Sequence, residues 1–246
     1  MLIAVSPCSN PELELEPVLA AYSAIGYRRF EAFTGWVQSA FHYRADPAIY
    51  RRLLKKYGMA LSSLHLPPIA EDSEAAIAEA VKAAEFAAAV GAPVVLFKAK
   101  SRELYIRTAG RFLDAIAKLP VVPVLQNHAN SPISSPADYD EVIRGIGDRR
   151  MRTLLEVGHF HSVGVSWREG YDLLGDSIAL VHIKDQIGTQ SVAFGTGEID
   201  LPGLFARLKS DRYAGDIVVE MEVADRENTL TYLQDAFEYV QTLINS

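Results

Sequence analysis

The feature that most constrains this chain is an alternation of short apolar runs with amphipathic stretches. Eight β-type runs occupy residues 2–6, 27–33, 60–65, 93–98, 121–127, 152–156, 178–184 and 216–221. Helical patterns follow them at 13–25, 46–57, 73–90, 102–118, 136–146, 167–174, 201–210 and 226–244. Strand starts fall 25–38 residues apart, the size of one βα repeat. Local signals agree: Asp46-Pro47 suits a helix start, the alanine-rich 73–90 segment has high helix propensity, and Gly91 stops it. Strands alternating with helices imply a parallel sheet, and eight units imply closure into an α/β (β/α)8 barrel. A doubly wound open sheet is the competing topology. It commonly carries a glycine-rich phosphate turn after its first strand, and residues 2–16 have none. At 246 residues, one barrel domain over 1–246 is expected.

In a parallel barrel the carboxyl ends of the strands meet at one mouth, where active sites are built. Four of the runs end in residue types that ligate metals: Gln126 in VVPVLQNH, Glu156 in RTLLEVGH, His182 in IALVHIKD and Glu220 in DIVVEME. Alternation along a strand puts Glu220 and Glu222 on one face and Val219 and Met221 on the other. With Val219 outward, Glu220 enters the barrel, where a buried carboxylate needs a cation or hydrogen bonds. A lone strand histidine is commonly a satisfied core residue, but three other candidates at equivalent depths favour His182 as a ligand, with Lys184 and Asp185 expected at the rim. Lys184 suits an anionic substrate group or an acid partner. Glu156 and His159 offer a ligand and a pocket contact, or else an ion pair and a turn residue; His161 reads as a loop residue. Gln126 offers an amide oxygen that coordinates hard cations but takes no proton, or else is a buried amide bonded to neighbouring polar groups, the commoner role of a lone Gln. Further strand ends contribute Glu31, as an orienting hydrogen-bond partner or an ion pair, and His65, as a substrate contact or a turn cap. Lys98 is a second anion contact or a rim charge. The GTG of residues 195–197 is open to two readings, a phosphate turn or a turn before an acid-capped helix.

Composition excludes several classes. Lys and Arg number 24 against 31 Asp and Glu, a net charge of −7 that argues against nucleic-acid binding. No run of eighteen apolar residues and no signal-peptide pattern occur, so a cytoplasmic location away from the membrane is expected. The single cysteine, Cys8, admits no intrachain disulfide and reads as a small turn residue near the mouth in preference to a nucleophile.

The motifs, taken in order, resemble the xylose isomerase-like TIM-barrel superfamily, in its sugar phosphate isomerase/epimerase group. They are the Glu of YRRFEAF, SSLH, VPVLQNH, LLEVGH, VHIKD, GTGEID and LFARLKSDRYAGDIVVEME, which together span nearly the whole chain. The resemblance implies one divalent ion (manganese, magnesium, cobalt or zinc) held by Glu, Asp, His and Glu from strands five to eight. Those positions here are Gln126, Glu156, His182 and Glu220. Glu156 for Asp keeps the charge and adds a methylene. Gln126 for Glu lowers the ligand charge from −3 to −2 and removes one of the two bases that family epimerases use on opposite substrate faces.

The expected function is a metal-dependent isomerase, epimerase or dehydratase acting on a small sugar, sugar acid or hydroxyketone through an enediolate. Glu220 would be the surviving base, assisted by His182 or His159, with Glu31, His65, Lys98, His159 and Lys184 around the substrate. The alternative is a barrel that lacks catalysis and binds a small ligand or a partner subunit, favoured by Gln126. Assembly with further copies of the chain is compatible with either. An abasic-site endonuclease of the same superfamily fits poorly, because its zinc cluster needs more ligands than are suitably placed.

Overall fold

The computed structural model describes all 246 residues. Eight strands form the closed barrel: β1 (Leu2–Val5), β2 (Arg29–Phe33), β3 (Ala60–His65), β4 (Val94–Leu96), β5 (Val122–Gln126), β6 (Arg152–Glu156), β7 (Ile178–Ile183) and β10 (Asp216–Val219). Each pairs in parallel with its neighbours, and β10 closes the barrel against β1, with Leu2 opposite Asp216 and Val5 opposite Val219. The intervening β8 (Asp185–Ile187) and β9 (Gln190–Val192) form a separate antiparallel hairpin.

Around the barrel run α1 (Leu15–Ile25), α2 (Pro47–Lys56), α3 (Glu74–Val90), α4 (Arg102–Ile116), α5 (Pro136–Ile146), α7 (Trp167–Leu174), α8 (Leu201–Ser210) and α9 (Thr229–Asn245). A one-turn helix, α6 (Val157–His161), leaves directly from β6. Polar caps start most of these helices. Asp46 accepts from Ala48 N ahead of Pro47, Ser135 and Asp138 form a capping box on α5, and Gly91 ends α3 at a φ of 86°. None of the helices is long and apolar enough to cross a membrane.

Side-chain alternation divides the apolar residues between two compartments. Ala4, Val94, Leu96, Val124, Leu154, Leu180 and Val218 fill the barrel interior as one layer. Their outward neighbours, among them Val5, Val95, Leu125, Leu155, Val181 and Val219, pack under the helices. The site lies two residues beyond the interior layer on each strand, one full period along. Thus Leu96 leads to Lys98, Val124 to Gln126, Leu154 to Glu156, Leu180 to His182 and Val218 to Glu220.

Some boundaries differ from the sequence expectation. The eighth barrel strand ends at Val219 and not Met221. Glu220 N still donates to Ile183 O (2.9 Å), but Met221 N turns to Ser9 Oγ (2.9 Å) and leaves the ladder. Helix α9 begins at Thr229 because residues Arg226–Asn228 form a 3-10 turn. Neither the hairpin β8–β9 nor α6 follows from periodicity, since both are too short to show one. His161, expected in a loop, is the last residue of α6, with its Nε2 3.2 Å from Glu198 Oε2.

Candidate active site

His182 is the hub. Its ring is fully buried, with Nε2 3.0 Å from Glu31 Oε1 and Nδ1 3.0 Å from Glu220 Oε1 and 3.2 Å from Glu156 Oε2. These are close approaches without aligned hydrogen bonds. Both His182 nitrogens, Glu31 Oε2, His65 Nε2 and Glu156 Oε2 are buried with no hydrogen-bond partner. Orphaned buried polar atoms are costly and concentrate where chemistry occurs. Glu156, His182 and Glu220 present three donor atoms within 4.8 Å of one another; Glu31, His65 and His182 do the same on the other edge of the ring.

The strand ends explain how each group is held. Glu156 closes β6 and caps α6, so its Oε1 accepts from Gly158 N (3.0 Å) while Oε2 turns to His182. Its backbone is clamped by buried Asn127, which donates to Glu156 O (2.9 Å) and accepts from Glu156 N (3.0 Å). Glu31 follows a register shift between β2 and β3 and accepts from Ser63 Oγ at 2.7 Å. His65 Nε2 lies 3.0 Å from the same carboxylate, and His65 Nδ1 lies 2.6 Å from Lys98 Nζ. Glu220 turns its Oε2 to Lys184 Nζ (2.9 Å), which also donates to Glu222 (3.0 Å).

Electrostatics assigns protonation. Burial raises the Glu31 carboxyl, but the His182 and His65 imidazoles outweigh it and hold the group well below the usual range. Burial likewise opposes ionisation of Glu220, yet Lys184 and His182 keep it a carboxylate. Glu156 is raised by burial and by the Glu220 charge. His182 is disfavoured as a cation by burial, but Glu31 and Glu220 push its pKa well above the ordinary value. His159 falls to about 2 through burial and the Lys184 charge, and His65 to about 4 through burial and Lys98; both are neutral imidazoles. Burial lowers Lys98 to about 8 against the pull of Glu31 and Glu220.

Above this cluster opens a cavity of about 400 Å³. Gln126, Glu220, Glu222, His65, Lys98, His128 and His159 line its polar side, and Phe33, Trp36, Leu66 and the two prolines 67 and 68 its apolar side. Gln126 faces the cavity but makes no hydrogen bond to the acid–histidine cluster. His159 stacks on His128, with ring centroids 3.7 Å apart. Cys8 also lines the wall; burial and the Glu220 and Glu222 charges raise its pKa well above the ordinary value and keep it a thiol.

Two expectations are corrected. Lys184 and Asp185 are not at the rim, since both are buried to about 1% exposure. The Lys184 stem lies over Gly158, where a Cβ would collide with it, and its ammonium is engaged by Glu220 and Glu222. Asp185 accepts from the amides of Gln186, Gly195 and Gly197 at 2.9–3.0 Å and Ile199 at 3.4 Å. Both glycine amides of the GTG turn are therefore occupied by a carboxylate of the chain itself, and the Thr196 amide donates to Ala193 O (3.1 Å). Asp200 caps α8, so the turn before an acid-capped helix is the reading that holds. Asn127 and Gly158 were not singled out from sequence, and Ser63 entered only as the serine of the Ser-x-His motif in SSLH. Asn127 had a signal in its position directly after Gln126, on the opposite face; Gly158 had none.

A closed parallel barrel with its polar cluster at the carboxyl ends of the strands is a (β/α)8 barrel in both architecture and site placement. The chain belongs to the xylose isomerase-like TIM barrel family, whose profile matches residues 19–243. The fold superposes on a xylose isomerase domain protein from Alicyclobacillus acidocaldarius subsp. acidocaldarius, with a TM-score of 0.80, 20% identity and 100% of each chain covered. It also matches the IOLI protein solved with a zinc atom (TM-score 0.81, 15% identity, 99% of this chain and 98% of that one). A D-allulose 3-epimerase from Methylomonas sp., in complex with D-allulose, gives a TM-score of 0.79 at 16% identity over 98% and 96% of the two chains. At such identities the likeness is one of fold. No protein of curated function matches the sequence.

Proposed function

We propose that the chain is a divalent-metal-dependent sugar isomerase in which Glu156, His182 and Glu220, with Gln126 beside them, hold the ion. The observation that carries this is the set of orphaned buried atoms, His182 Nδ1 and Glu156 Oε2, facing Glu220 beneath an open cavity. The donor set of two carboxylates, an imidazole and an amide suits manganese, magnesium, cobalt or zinc. The zinc atom of the IOLI structure and the D-allulose of the Methylomonas enzyme support the metal and the substrate class. When bound, such an ion supplies Lewis-acid polarisation of adjacent substrate oxygens.

The protein's own groups define which proton chemistry fits. Glu220 is an ionised carboxylate at the cavity wall, suited to take a proton from the carbon next to a carbonyl and deliver it, on the same face, to the former carbonyl carbon. The Lys184 ammonium fixes its orientation, and neutral His159 is placed to hydrogen-bond a substrate hydroxyl. Gln126 accepts no proton, so no carboxylate from β5 serves the opposite face. This favours aldose–ketose isomerisation over two-base epimerisation.

Gln126 also supports a second reading, a ligand-binding barrel without turnover. Incubation of manganese-loaded protein with aldoses and ketoses in D2O, followed by NMR, separates the two. Isomerisation predicts deuterium entering next to the carbonyl carbon, lost in Glu220→Gln. Metal uptake with no exchange on any sugar would favour the binding role.

A further inference from the structure

Lys98 is the cavity's unspent cation. Lys184 is neutralised by Glu220 and Glu222, whereas Lys98 makes no ion pair; its one polar contact is the uncharged His65 Nδ1 at 2.6 Å. An ammonium turned into a cavity without a carboxylate partner is poised for an anionic ligand.

A second observation concerns the lip of the same cavity. Trp36 is 69% exposed and adopts a φ of 75°, a left-handed conformation that a bulky residue rarely takes. Its ring leans on Phe33 (centroids 5.5 Å apart), which stacks on His65 at 3.9 Å and lies under the Lys98 ammonium at 5.8 Å. The aromatic faces and the ammonium thus form one continuous wall, with an apolar surface for the carbon skeleton of a sugar and a charge at its end.

We propose that the site takes a sugar acid, whose terminal carboxylate pairs with Lys98 while its carbon chain lies along Phe33 and Trp36. This rests on reading the cavity as a sugar site and narrows the substrate from neutral ketoses to keto-sugar acids. One unpaired ammonium matches a monoanion better than a phosphate dianion.

The test is calorimetric titration of the 246-residue protein, after its manganese content has been measured, with D-fructuronate, D-fructose and D-fructose 6-phosphate. The expected result is fructuronate binding about tenfold or more tighter than fructose, a difference of about 1.4 kcal/mol. Lys98→Met should collapse that ratio to about one and Lys98→Arg should keep most of it; Trp36→Ala should weaken both sugars. Equal affinities, a preference for fructose or the phosphate, a ratio unchanged in Lys98→Met, or no binding at all would each overturn the proposal. Acid selectivity in a protein that takes up no manganese would count against the metal reading alone. Manganese uptake without acid selectivity would count against this inference alone.

Discussion

Glu156 performs two tasks that one shorter acid would have difficulty combining. One oxygen caps α6 through Gly158 N and the other faces His182, so the added methylene lets a single carboxylate serve helix and site together. Glu156→Asp should therefore weaken either metal binding or the α6 turn, and a metal titration read beside a melting curve will show which. At Gln126 the expectation has the opposite sign. Gln126→Glu adds a charged donor at the cavity wall and should tighten manganese binding by about tenfold, or about 1.4 kcal/mol; unchanged affinity would show that residue 126 is not a ligand. Gly158→Ala should destabilise the fold by about 1–3 kcal/mol in denaturant unfolding, because the new Cβ would displace the Lys184 stem. Candidate site residues were legible in sequence where they lay one period beyond an apolar strand residue, as Glu156, His182 and Glu220 do. Those defined by contacts across strands were not. The Asn127 clamp and the Lys184–Gly158 packing depend on partners 29 and 26 positions away in the chain, respectively.

At the scale of elements, the loop between β7 and α8 is organised by one side chain. Asp185 gathers four backbone amides, two of them from Gly195 and Gly197, and Gly197 leaves no room there for a Cβ. Hydrogen bonds to a charged acceptor are worth about 1.5–3 kcal/mol each, so Asp185→Asn should cost at least one such bond. Hydrogen exchange should then show Gly195–Ile199 amides opening first, and unaltered protection would refute the assignment. The helices were readable because caps and periodicity coincide: Asp46 before Pro47, Ser135 with Asp138, Gly91 after α3. The hairpin β8–β9 was not, because three-residue strands carry no period and their pairing is set by the turn at Gly188, with a φ of 57°.

For the whole molecule, the barrel brings together residues that are distant in sequence, and buried titratable groups make its stability depend on pH. His65 has its pKa lowered to about 4, while an unfolded histidine titrates near 6.5. The unfolded chain then binds a proton that the folded one refuses. Stability therefore falls as the pH drops from about 6.5 toward 4, by up to roughly 3 kcal/mol from this residue. In metal-free His65→Asn that acid-side loss should shrink, as measured by urea unfolding at pH 7 and pH 5; an identical pH slope would contradict the burial of a neutral imidazole. The closed topology was legible from the count of βα units. The way His182 is shared among Glu31, Glu156 and Glu220 was not, since it depends on how the strands stagger around the barrel.

The most direct test is the metal content of protein purified without chelator or histidine tag, measured by mass spectrometry alongside Glu156→Ala and Glu220→Ala. About one equivalent of a divalent metal in the parent protein is expected, and a small fraction of that in folded samples of either variant. A parent protein that holds no metal and shows no thermal stabilisation by manganese, magnesium, cobalt or zinc would contradict the central claim. So would metal retained undiminished in both variants.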